Sequence, residues 1–589
     1  MSVLASSVKH ENVSAKHENG WFDELEHLPE EAVATHPMTP PSKIAGSTDV
    51  PLLEQPIFTP RRVKVICVGA GYSGLMLAYS HTHKLKMSNF VDLTIYEKNQ
   101  DVGGTWLENR YPGLGCDVPA HVYVFPWEPN PDFDSFYATG PDIWAYIRKT
   151  TTKYHLDEHV KFNSRVIESV WDESTSKWHV KVERNGQIIQ DEADVLVNGS
   201  GILNKWKWPS IEGLDSFKGK LIHSAAWDQS LDWEGKRVAV IGNGSSAIQI
   251  LPKMQKTAAH LTTYIRTPTW ICSNLNETFA PEGKNFKFTE EQKQRFRDHP
   301  EELTKYRKEI EHDFNKNFPV FIHNSQAQQG AYEGFKQLMS ERLGHDERLI
   351  SKLVPKWDVG CRRLTPGDGY LEALRAENVK CQFDPILRFT EKGIQTGEGE
   401  EEFDIIVCAT GFDVSFCPFW KLVGRDGTML AEQWAGNPEA YFGICAAGVP
   451  NYFIFNGPNC PVGHGSLLAV IDWTSEYILR WCQKIATHDI SSIAVKSDAV
   501  AEFNVYAQEF LKTTVWASGC RSWYKNGTAD GKVTAMYAGS ILHYKECLEK
   551  ERGEDFDIRY RSPNRFRFLG NGFTQREANG ENLSYYMTK

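Results

Sequence analysis

Residues Val63–Gly74 are VKVICVGAGYSG, and this stretch decides the fold. An apolar run is followed by three spaced glycines and then by the helix-forming segment LMLAYSHTH. In such a pattern Gly69 allows a tight turn, Gly71 lets the backbone approach a pyrophosphate, and Gly74 lets helix and strand pack closely. The stretch therefore predicts the strand, turn and helix that open a Rossmann-like dinucleotide-binding unit, with Ser73 among the cofactor contacts.

The residues that follow this turn favour FAD over NAD. The next predicted strand, VDLTIYEK, ends at Glu97, 23 positions after Gly74, where a carboxylate can bond ribose hydroxyls. The segment DVGGTWLENRYPG then supplies Gly104, Thr105 and Trp106. Glycines with a Thr-Trp pair suit the approach of a further phosphate and a flat ring.

A second glycine turn, VAVIGNGSSAIQI, begins at Val238. Ala247 takes the third glycine position and still permits close helix packing. The next predicted strand ends at Arg266, 19 positions after Ala247, where an NAD site would carry an acid. A cation there suits the 2′-phosphate of NADPH, although a surface arginine at a strand end is the plain alternative. The predicted contacts in this unit are Gly242, Gly244, Ser245, Ser246, Ala247, Arg266 and Thr267.

Two glycine turns this far apart predict an α/β fold with two Rossmann-like domains, the NADP domain inserted in the FAD domain. A charged, helix-forming stretch predicts a helical inset whose charges form a solvated face. The predicted divisions are a polar N-terminal arm (1–60), the first part of the FAD domain (61–205), the first part of the NADP domain with its linker (206–278), the helical inset (279–353), the second part of the NADP domain (354–397), and the second part of the FAD domain with the C-terminal segment (398–589).

Composition excludes several classes of function. A net charge of −11 and a pI near 6.0 argue against nucleic acid or anionic membrane as partner. No apolar run reaches the ~18 residues of a transmembrane helix, and the acidic N-terminus lacks a targeting signal, so we expect a cytoplasmic protein. Twelve cysteines without a C-x-x-C pair indicate free thiols. His81 and His83 lack further ligands, so no metal is predicted.

The segment FKGKLIHSAAWD lies just before the second glycine turn. Its pattern F-x-G-x-x-x-H-x-x-x-W-D resembles the fingerprint of Baeyer–Villiger monooxygenases, which are class B flavoprotein monooxygenases. The resemblance extends from about Arg61 to at least Tyr544 through GGTWLENRYPG, CDVPAHVY, IRTPTW, GCRRLTPGDGYLEA, ATGFD and SWYKNG, and it is greatest to the fungal biosynthetic members. The fingerprint residues are Phe217, Gly219, His223, Trp227 and Asp228.

The resemblance implies a reaction and roles for individual residues. NADPH reduces FAD, O₂ forms a C4a-peroxyflavin, and attack on a ketone gives an ester or lactone, in fungal members often from a polyketide or terpenoid. Arg363 matches the catalytic arginine, and Asp117 matches the acid that bonds it. The remaining matches are Arg362 for the 2′-phosphate, Tyr123 with Thr105 and Trp106 for the flavin, and Trp523 near the nicotinamide ribose and the pocket.

Several alternatives stay open at this stage. An N- or S-oxygenating relative would usually carry Tyr or Phe in place of Trp227. A non-catalytic nucleotide-binding partner is the alternative of another class. His223 is expected to be a hinge residue and not a catalytic acid or base. We expect a monomer or weak oligomer that acts on a ketone and O₂ in a pocket formed by the C-terminal segment, the GPNCPVGHGS loop and the inset.

Overall fold

The structure is a computed structural model that describes residues 50–272, 279–280 and 283–587. The predicted N-terminal arm therefore lies outside the described residues up to position 49. Its last part runs beside the C-terminal segment. The Ile57 N–H donates to the Phe573 carbonyl at 2.9 Å, and the Asn571 N–H donates to the Gln55 carbonyl at 2.9 Å.

The first sheet is parallel and has the order β19-β7-β1-β2-β3. Its central strands β1 and β7 are apolar and mostly buried, as expected when both faces of a parallel sheet are covered. Helix α1 (Tyr72–Tyr79) follows β1 and packs against the long helix α11 (Leu467–Thr487). The strands are β1 (Val63–Val68), β2 (Val91–Tyr96), β3 (Val160–Lys161), β7 (Val195–Asn198) and β19 (Tyr452–Ile454).

The second sheet is also parallel, with the order β13-β10-β9-β17-β8. Its strands are β8 (Lys220–His223), β9 (Arg237–Ile241), β10 (His260–Tyr264), β13 (Val379–Gln382) and β17 (Ile405–Cys408). Strand β17 pairs with both β8 and β9, although it follows the predicted domain boundary at residue 397. That boundary is therefore too early, because the chain leaves this sheet only after Cys408.

Smaller sheets complete the strands. A four-stranded sheet has the order β18-β4-β5-β6, and its strands β4 to β6 lie between β3 and β7 in the sequence. Three small sheets are formed by β11 with β12, by β14 with β15 and β16, and by β20 with β21. The strands are β4 (Ser164–Asp172), β5 (Lys177–Arg184), β6 (Gln187–Ala193), β11 (Ile271–Cys272), β12 (Thr365–Pro366), β14 (Arg388–Phe389), β15 (Gly393–Thr396), β16 (Gly399–Glu402), β18 (Lys421–Val423), β20 (Ile490–Val495) and β21 (Phe556–Tyr560).

The predicted helical inset is confirmed. Helices α5 to α8 lie between β10 and β13, which are neighbours in the second sheet. Among the described residues the α-helices are α1 (Tyr72–Tyr79), α2 (Thr105–Glu108), α3 (Gly140–Lys153), α4 (Ser245–Met254), α5 (Glu290–Asp298), α6 (Pro300–Lys316), α7 (Gln326–Arg342), α8 (Glu347–Leu353), α9 (Tyr370–Ala373), α10 (Leu430–Gln433), α11 (Leu467–Thr487), α12 (Ser497–Leu511), α13 (Ile541–Leu548) and α14 (Gln575–Ala578).

The prediction that all cysteines are free thiols is wrong for one pair. Cys361 and Cys520 form a disulfide bond across a sequence separation of 159, with their Cα atoms 6.3 Å apart. Sequence spacing does not reveal this bond, because the two cysteines meet only through the tertiary fold.

Two further expectations concern absences. Across 50–272, 279–280 and 283–587, no helix combines the length and apolar character needed to cross a bilayer. Within the same ranges, no group of three or more His, Cys, Asp or Glu side chains is arranged to hold a metal ion.

Candidate active site

The glycines of the first turn are needed for two different physical reasons. A Cβ on Gly74 would lie 2.1 Å from the Gly69 carbonyl oxygen, and one on Gly69, whose φ is +104°, would lie 2.7 Å from the Gly199 carbonyl oxygen. Packing therefore requires both. A Cβ on Gly71 would meet its nearest neighbour, Gly104 Cα, at an ordinary 3.6 Å. Packing does not require Gly71, so its missing side chain fits the close approach of a phosphate.

Glu97 lies at the end of β2, beside this turn. Its Oε2 accepts from the Ala70 N–H at 2.8 Å, and its Oε1 accepts from the Asn99 N–H at 2.8 Å. The carboxylate is buried, and burial raises its pKa. The turn and the carboxylate are thus fixed to each other, in the arrangement that a nucleotide ribose beside its pyrophosphate requires.

Trp106 and Tyr123 come together as predicted for one binding surface. The Trp106 indole N–H donates to the Tyr123 hydroxyl at 3.3 Å, and the two rings meet edge to face at 5.6 Å. Thr105 begins helix α2 directly after Gly104, whose φ of +53° turns the chain toward Gly71. The residues predicted for the flavin therefore share one region of the first unit with the first glycine turn.

The second glycine turn likewise has one glycine that packing requires and one that it does not. A Cβ on Gly242, whose φ is +124°, would lie 2.3 Å from the Ala409 carbonyl oxygen, so packing requires this glycine. A Cβ on Gly244 would have no protein atom within 4 Å. Helix α4 begins immediately after it at Ser245, whose hydroxyl lies 3.0 Å from that of Thr365. An open helix N-terminus with a bare backbone fits a pyrophosphate.

The segments of Arg266 and Arg362 lie side by side. Arg266 and Thr267 follow β10, and the Arg362 guanidinium donates from Nη1 to the Pro268 carbonyl at 3.0 Å. Burial, followed by the charge of Arg266, lowers the pKa of Arg362. The structure thus brings together the cations that the sequence assigned to a 2′-phosphate.

Arg363 and Asp117 form a bidentate ion pair across 246 positions of sequence. Arg363 Nε donates to Asp117 Oδ2 at 2.6 Å and Nη2 donates to Oδ1 at 2.7 Å. Nη1 donates to the Val462 carbonyl at 3.3 Å, in the GPNCPVGHGS loop. The Asp117 carboxylate raises the pKa of Arg363, and the arginine side chain keeps 40% of its surface exposed while that of Asp117 keeps 15%. The result is an oriented, permanent positive charge.

His464 fixes the loop that carries Val462. Its Nε2 lies 3.2 Å from the Phe314 carbonyl of α6, and its ring packs edge to face on Phe318 at 5.0 Å. Burial lowers the pKa of His464 to about 4, so the ring is neutral at pH 7. The inset and the loop are therefore joined beside Arg363.

The linker fingerprint has clear packing reasons at its first residues. A Cβ on Gly219 would lie 2.4 Å from the Phe217 ring and 2.6 Å from the Asp404 carbonyl oxygen, so only glycine fits there. Asp228 accepts from Lys220 Nζ at 2.7 Å and from the Ser230 hydroxyl at 2.6 Å. The neighbouring Trp227 ring meets the Trp233 ring edge to face, with centroids 6.4 Å apart. These contacts shape the segment.

His223 touches both connections between the two units. Its ring stacks on Trp206 with centroids 4.5 Å apart, and its Nε2 lies 3.3 Å from the Thr410 hydroxyl. Its Nδ1 accepts from the Ala225 N–H at 3.1 Å, so the neutral ring carries its proton on Nε2. Trp206 follows β7 on the way out of the first unit, and Thr410 follows β17 on the way back.

Several neighbours of these residues have no signal in the sequence. The disulfide Cys361–Cys520 places Arg362 next to the segment of Trp523, and Tyr524 lies against the Arg363 guanidinium. No local spacing predicts this bond, because the two cysteines are 159 positions apart. A cleft of about 800 Å³ is also lined by the loop around Asp117 and by helix α4.

Each of the two parallel sheets carries a glycine turn of the kind that binds phosphate, and an arginine–carboxylate pair joins distant segments. This combination is typical of a flavoprotein oxidoreductase that binds two dinucleotides. The flavin-binding monooxygenase-like family model matches residues 62–327. The FAD-binding monooxygenase tazF of Aspergillus terreus is 52% identical over 538 residues, covering 90% of this chain and 96% of that protein. The chain belongs to the flavin-binding monooxygenase family.

Two further comparisons refine this placement. A Baeyer–Villiger monooxygenase of Pseudomonas aeruginosa is 35% identical over 492 residues, covering 82% of this chain and 89% of that protein. The solved structure of an oxidised steroid monooxygenase bound to NADP matches with a TM-score of 0.72 and 26% identity, covering 85% of this chain and 100% of that one. These matches confirm the predicted resemblance, the two-Rossmann fold and FAD and NADP as the cofactors of the family.

Proposed function

We propose that the chain is an NADPH- and O₂-dependent monooxygenase that inserts one oxygen atom next to a ketone carbonyl, giving an ester or a lactone. The observation that carries this proposal is the bidentate pair of Arg363 and Asp117 beside the Val462 loop. The bound flavin, once reduced by NADPH, would supply the electrons that activate O₂.

Arg363 would stabilise the negative charge that develops on oxygen during the reaction. A guanidinium stays protonated at any relevant pH, and a fixed cation in a site poor in water is worth far more than one in bulk solvent. Asp117 would hold the guanidinium plane by accepting two hydrogen bonds from it, and the Val462 carbonyl would accept a third. The other N–H groups of Arg363 would face the reacting oxygen.

The nicotinamide cofactor would be held by the open second turn. Gly244 and Ser245 would contact its pyrophosphate, and Arg266, Thr267 and Arg362 would contact the 2′-phosphate. Charge-assisted contacts of this kind are the stronger class of hydrogen bond, which supports NADPH over NADH. His223 would couple the position of this unit to that of the first through Trp206 and Thr410.

The substrate class proposed is a polyketide or terpenoid ketone of secondary metabolism. The resemblance of CDVPAHVY and SWYKNG to the fungal biosynthetic members supports this class, and the 52% identity to a fungal FAD-binding monooxygenase is consistent with it. The pocket would lie where His464 joins the helical inset to the GPNCPVGHGS loop.

The decisive experiment reduces the purified flavoprotein anaerobically with NADPH and then adds O₂ with a panel of ketones, amines and sulfides. Mass spectrometry should find a gain of one oxygen in ketones, with ester or lactone fragmentation. Product from amines or sulfides alone would overturn the ketone assignment and favour a heteroatom oxygenase. A purified protein that holds no flavin would favour the non-catalytic nucleotide-binding partner.

A further inference from the structure

Two copies of the tripeptide Gly-Cys-Arg are joined in the fold. Gly360-Cys361-Arg362 and Gly519-Cys520-Arg521 meet through the Cys361–Cys520 disulfide, with Cα atoms 6.3 Å apart. Both cysteines are fully buried. Because each arginine directly follows a bonded cysteine, the disulfide brings Arg362 and Arg521 into one neighbourhood.

Arg266 belongs to the same neighbourhood. The hydrogen bond from Arg362 to the Pro268 carbonyl connects the first tripeptide to the segment of Arg266 at 3.0 Å. Burial, and after it the charge of Arg521, lowers the pKa of Arg266. Three arginines from three distant stretches of sequence thus share one electrostatic environment, which we call the arginine cluster (Arg266, Arg362 and Arg521).

The arginine cluster has no acidic counterpart in the part of the chain that the structure describes. Other arginines there have one, such as Arg363 with Asp117 and Arg61 with Asp194. None of the cluster's three guanidiniums forms an ion pair with a carboxylate among those same residues. Like charges held together covalently repel one another, and each gains stability when an anion enters between them. A phosphate monoester, with about −1.5 to −2 charges at neutral pH, fits such a site.

We propose that Arg521 is a third arginine of the site for the 2′-phosphate of NADPH and that the Cys361–Cys520 disulfide holds it in position. This inference rests on the proposed use of NADPH, and it adds a residue that neither the glycine turn nor the Arg266 position predicts. Arg521 is exposed, so its guanidinium is free to reach a ligand that enters beside Arg266.

The test compares binding of NADP⁺ and NAD⁺ to the oxidised holoenzyme by isothermal titration calorimetry. Arg521→Ala should raise the Kd for NADP⁺ about tenfold, the value of one charge-assisted contact, and leave the Kd for NAD⁺ within about twofold. Arg388→Ala is the matched control, because Arg388 is an exposed arginine of the same unit on β14. It should change neither Kd.

The outcomes separate this inference from the proposed function. A wild-type enzyme that binds NAD⁺ as tightly as NADP⁺ would contradict the NADPH assignment itself. A wild-type preference for NADP⁺ that Arg521→Ala leaves intact would overturn the role of Arg521 alone, as would an equal loss for both nucleotides. If Arg521→Ala does not retain flavin, Arg521→Gln is measured in its place with the same expectations.

The disulfide is tested with the double variant Cys361→Ser and Cys520→Ser. Without the bond Arg521 is no longer held beside Arg362, so the Kd for NADP⁺ should rise severalfold and that for NAD⁺ should not. Adding Arg521→Ala to the double variant should then weaken NADP⁺ binding by less than it does in the wild type. An unchanged Kd for NADP⁺ in the double variant would overturn the positioning role of the disulfide.

Discussion

The two glycine turns share a sequence pattern and differ in what surrounds them. At the first turn, Gly71 lies against Gly104, and Glu97 accepts hydrogen bonds from the turn itself. At the second turn, Gly244 faces open space and the nearby Arg266 is exposed. The first is a closed binding surface made within one stretch of the chain, whereas the second is open.

The difference matches two kinds of cofactor use. A closed surface whose polar groups are already fixed suits a molecule that stays bound, because little further ordering is needed. An open surface assembled from residues near 244, 266, 362 and 521 suits one that enters and leaves. We therefore expect variants at the first turn to affect flavin content and variants at the second to affect only the nicotinamide nucleotide.

The largest effect is expected for Arg363→Ala, which tests whether flavin retention depends on the first unit alone. Loss of the fixed cation should reduce product formation by at least about 100-fold, with NADPH oxidation slowed or diverted to hydrogen peroxide. Flavin content should be unchanged. The measurement is product per NADPH consumed, with peroxide and flavin absorbance assayed in parallel.

Arg363→Lys is the control for charge without geometry. This variant keeps a positive charge but loses the planar guanidinium, whose Nε and Nη2 both donate to Asp117. We therefore expect partial activity at best. Near wild-type yield of oxygenated ketone from Arg363→Ala would show that the assignment is wrong and would turn attention to Arg362.

The pair Gly71→Ala and Gly244→Ala tests the comparison directly. Neither added Cβ meets protein closer than 3.6 Å, so both variants should fold with an unchanged thermal midpoint. Gly71→Ala should be purified with little flavin, because the methyl group occupies the approach of the pyrophosphate. Gly244→Ala should retain full flavin and bind NADP⁺ about tenfold more weakly.

Gly242→Ala separates these binding effects from structural damage. Its Cβ would lie 2.3 Å from the Ala409 carbonyl oxygen at a φ of +124°, so it should lower the free energy of unfolding by more than about 1 kcal/mol. Flavin loss in Gly244→Ala, or flavin retention in Gly71→Ala, would break the proposed division between the two turns.

A smaller effect is expected for Arg266→Ala. It should raise the KM for NADPH about tenfold and leave the KM for NADH nearly unchanged, since only NADPH carries the 2′-phosphate. Steady-state kinetics with both nucleotides, at matched flavin content, measures the two values. An equal rise in both would assign Arg266 to a part of the cofactor that the two nucleotides share.

The sequence predicted the parts of this site that depend on local patterns. The glycine turns, Glu97 after β2 and Arg266 after β10 follow from short stretches whose spacing fixes their place in a Rossmann unit. The Arg363–Asp117 pair was predicted only through the resemblance, because 246 positions separate the two residues. Local spacing carries no information on such a contact.

Other features depend on contacts that no local pattern encodes. The disulfide Cys361–Cys520 needs two segments 159 residues apart to meet, and Arg521 becomes relevant only through it. The boundary near residue 397 was misplaced for the same reason. Strand β17 and its glycine exit resemble a domain start in sequence, and only its pairing with β8 and β9 places it in the second sheet.

The smallest catalytic effect is expected for His223→Ala, which tests whether the two units must move together. The variant loses the stacking on Trp206 and the hydrogen bond to Thr410, so flavin should stay bound while turnover slows severalfold. Product per NADPH should fall as well. Full activity with normal coupling would contradict the hinge role.

The same variant has a pH signature that a purely structural loss would lack. Burial lowers the pKa of His223 to about 4, against about 6.5 in the unfolded chain. The neutral ring therefore contributes its full stability above pH 6.5, and this contribution falls as the pH drops from 6.5 toward 4. Between pH 7 and pH 5 the wild type should lose stability, on the order of 1 kcal/mol, that His223→Ala does not lose. Urea unfolding at both pH values measures this difference, with His179→Ala, an exposed histidine on β5, as control. A difference between wild type and His223→Ala that is the same at both pH values would show that the ring is not held neutral between the two connections.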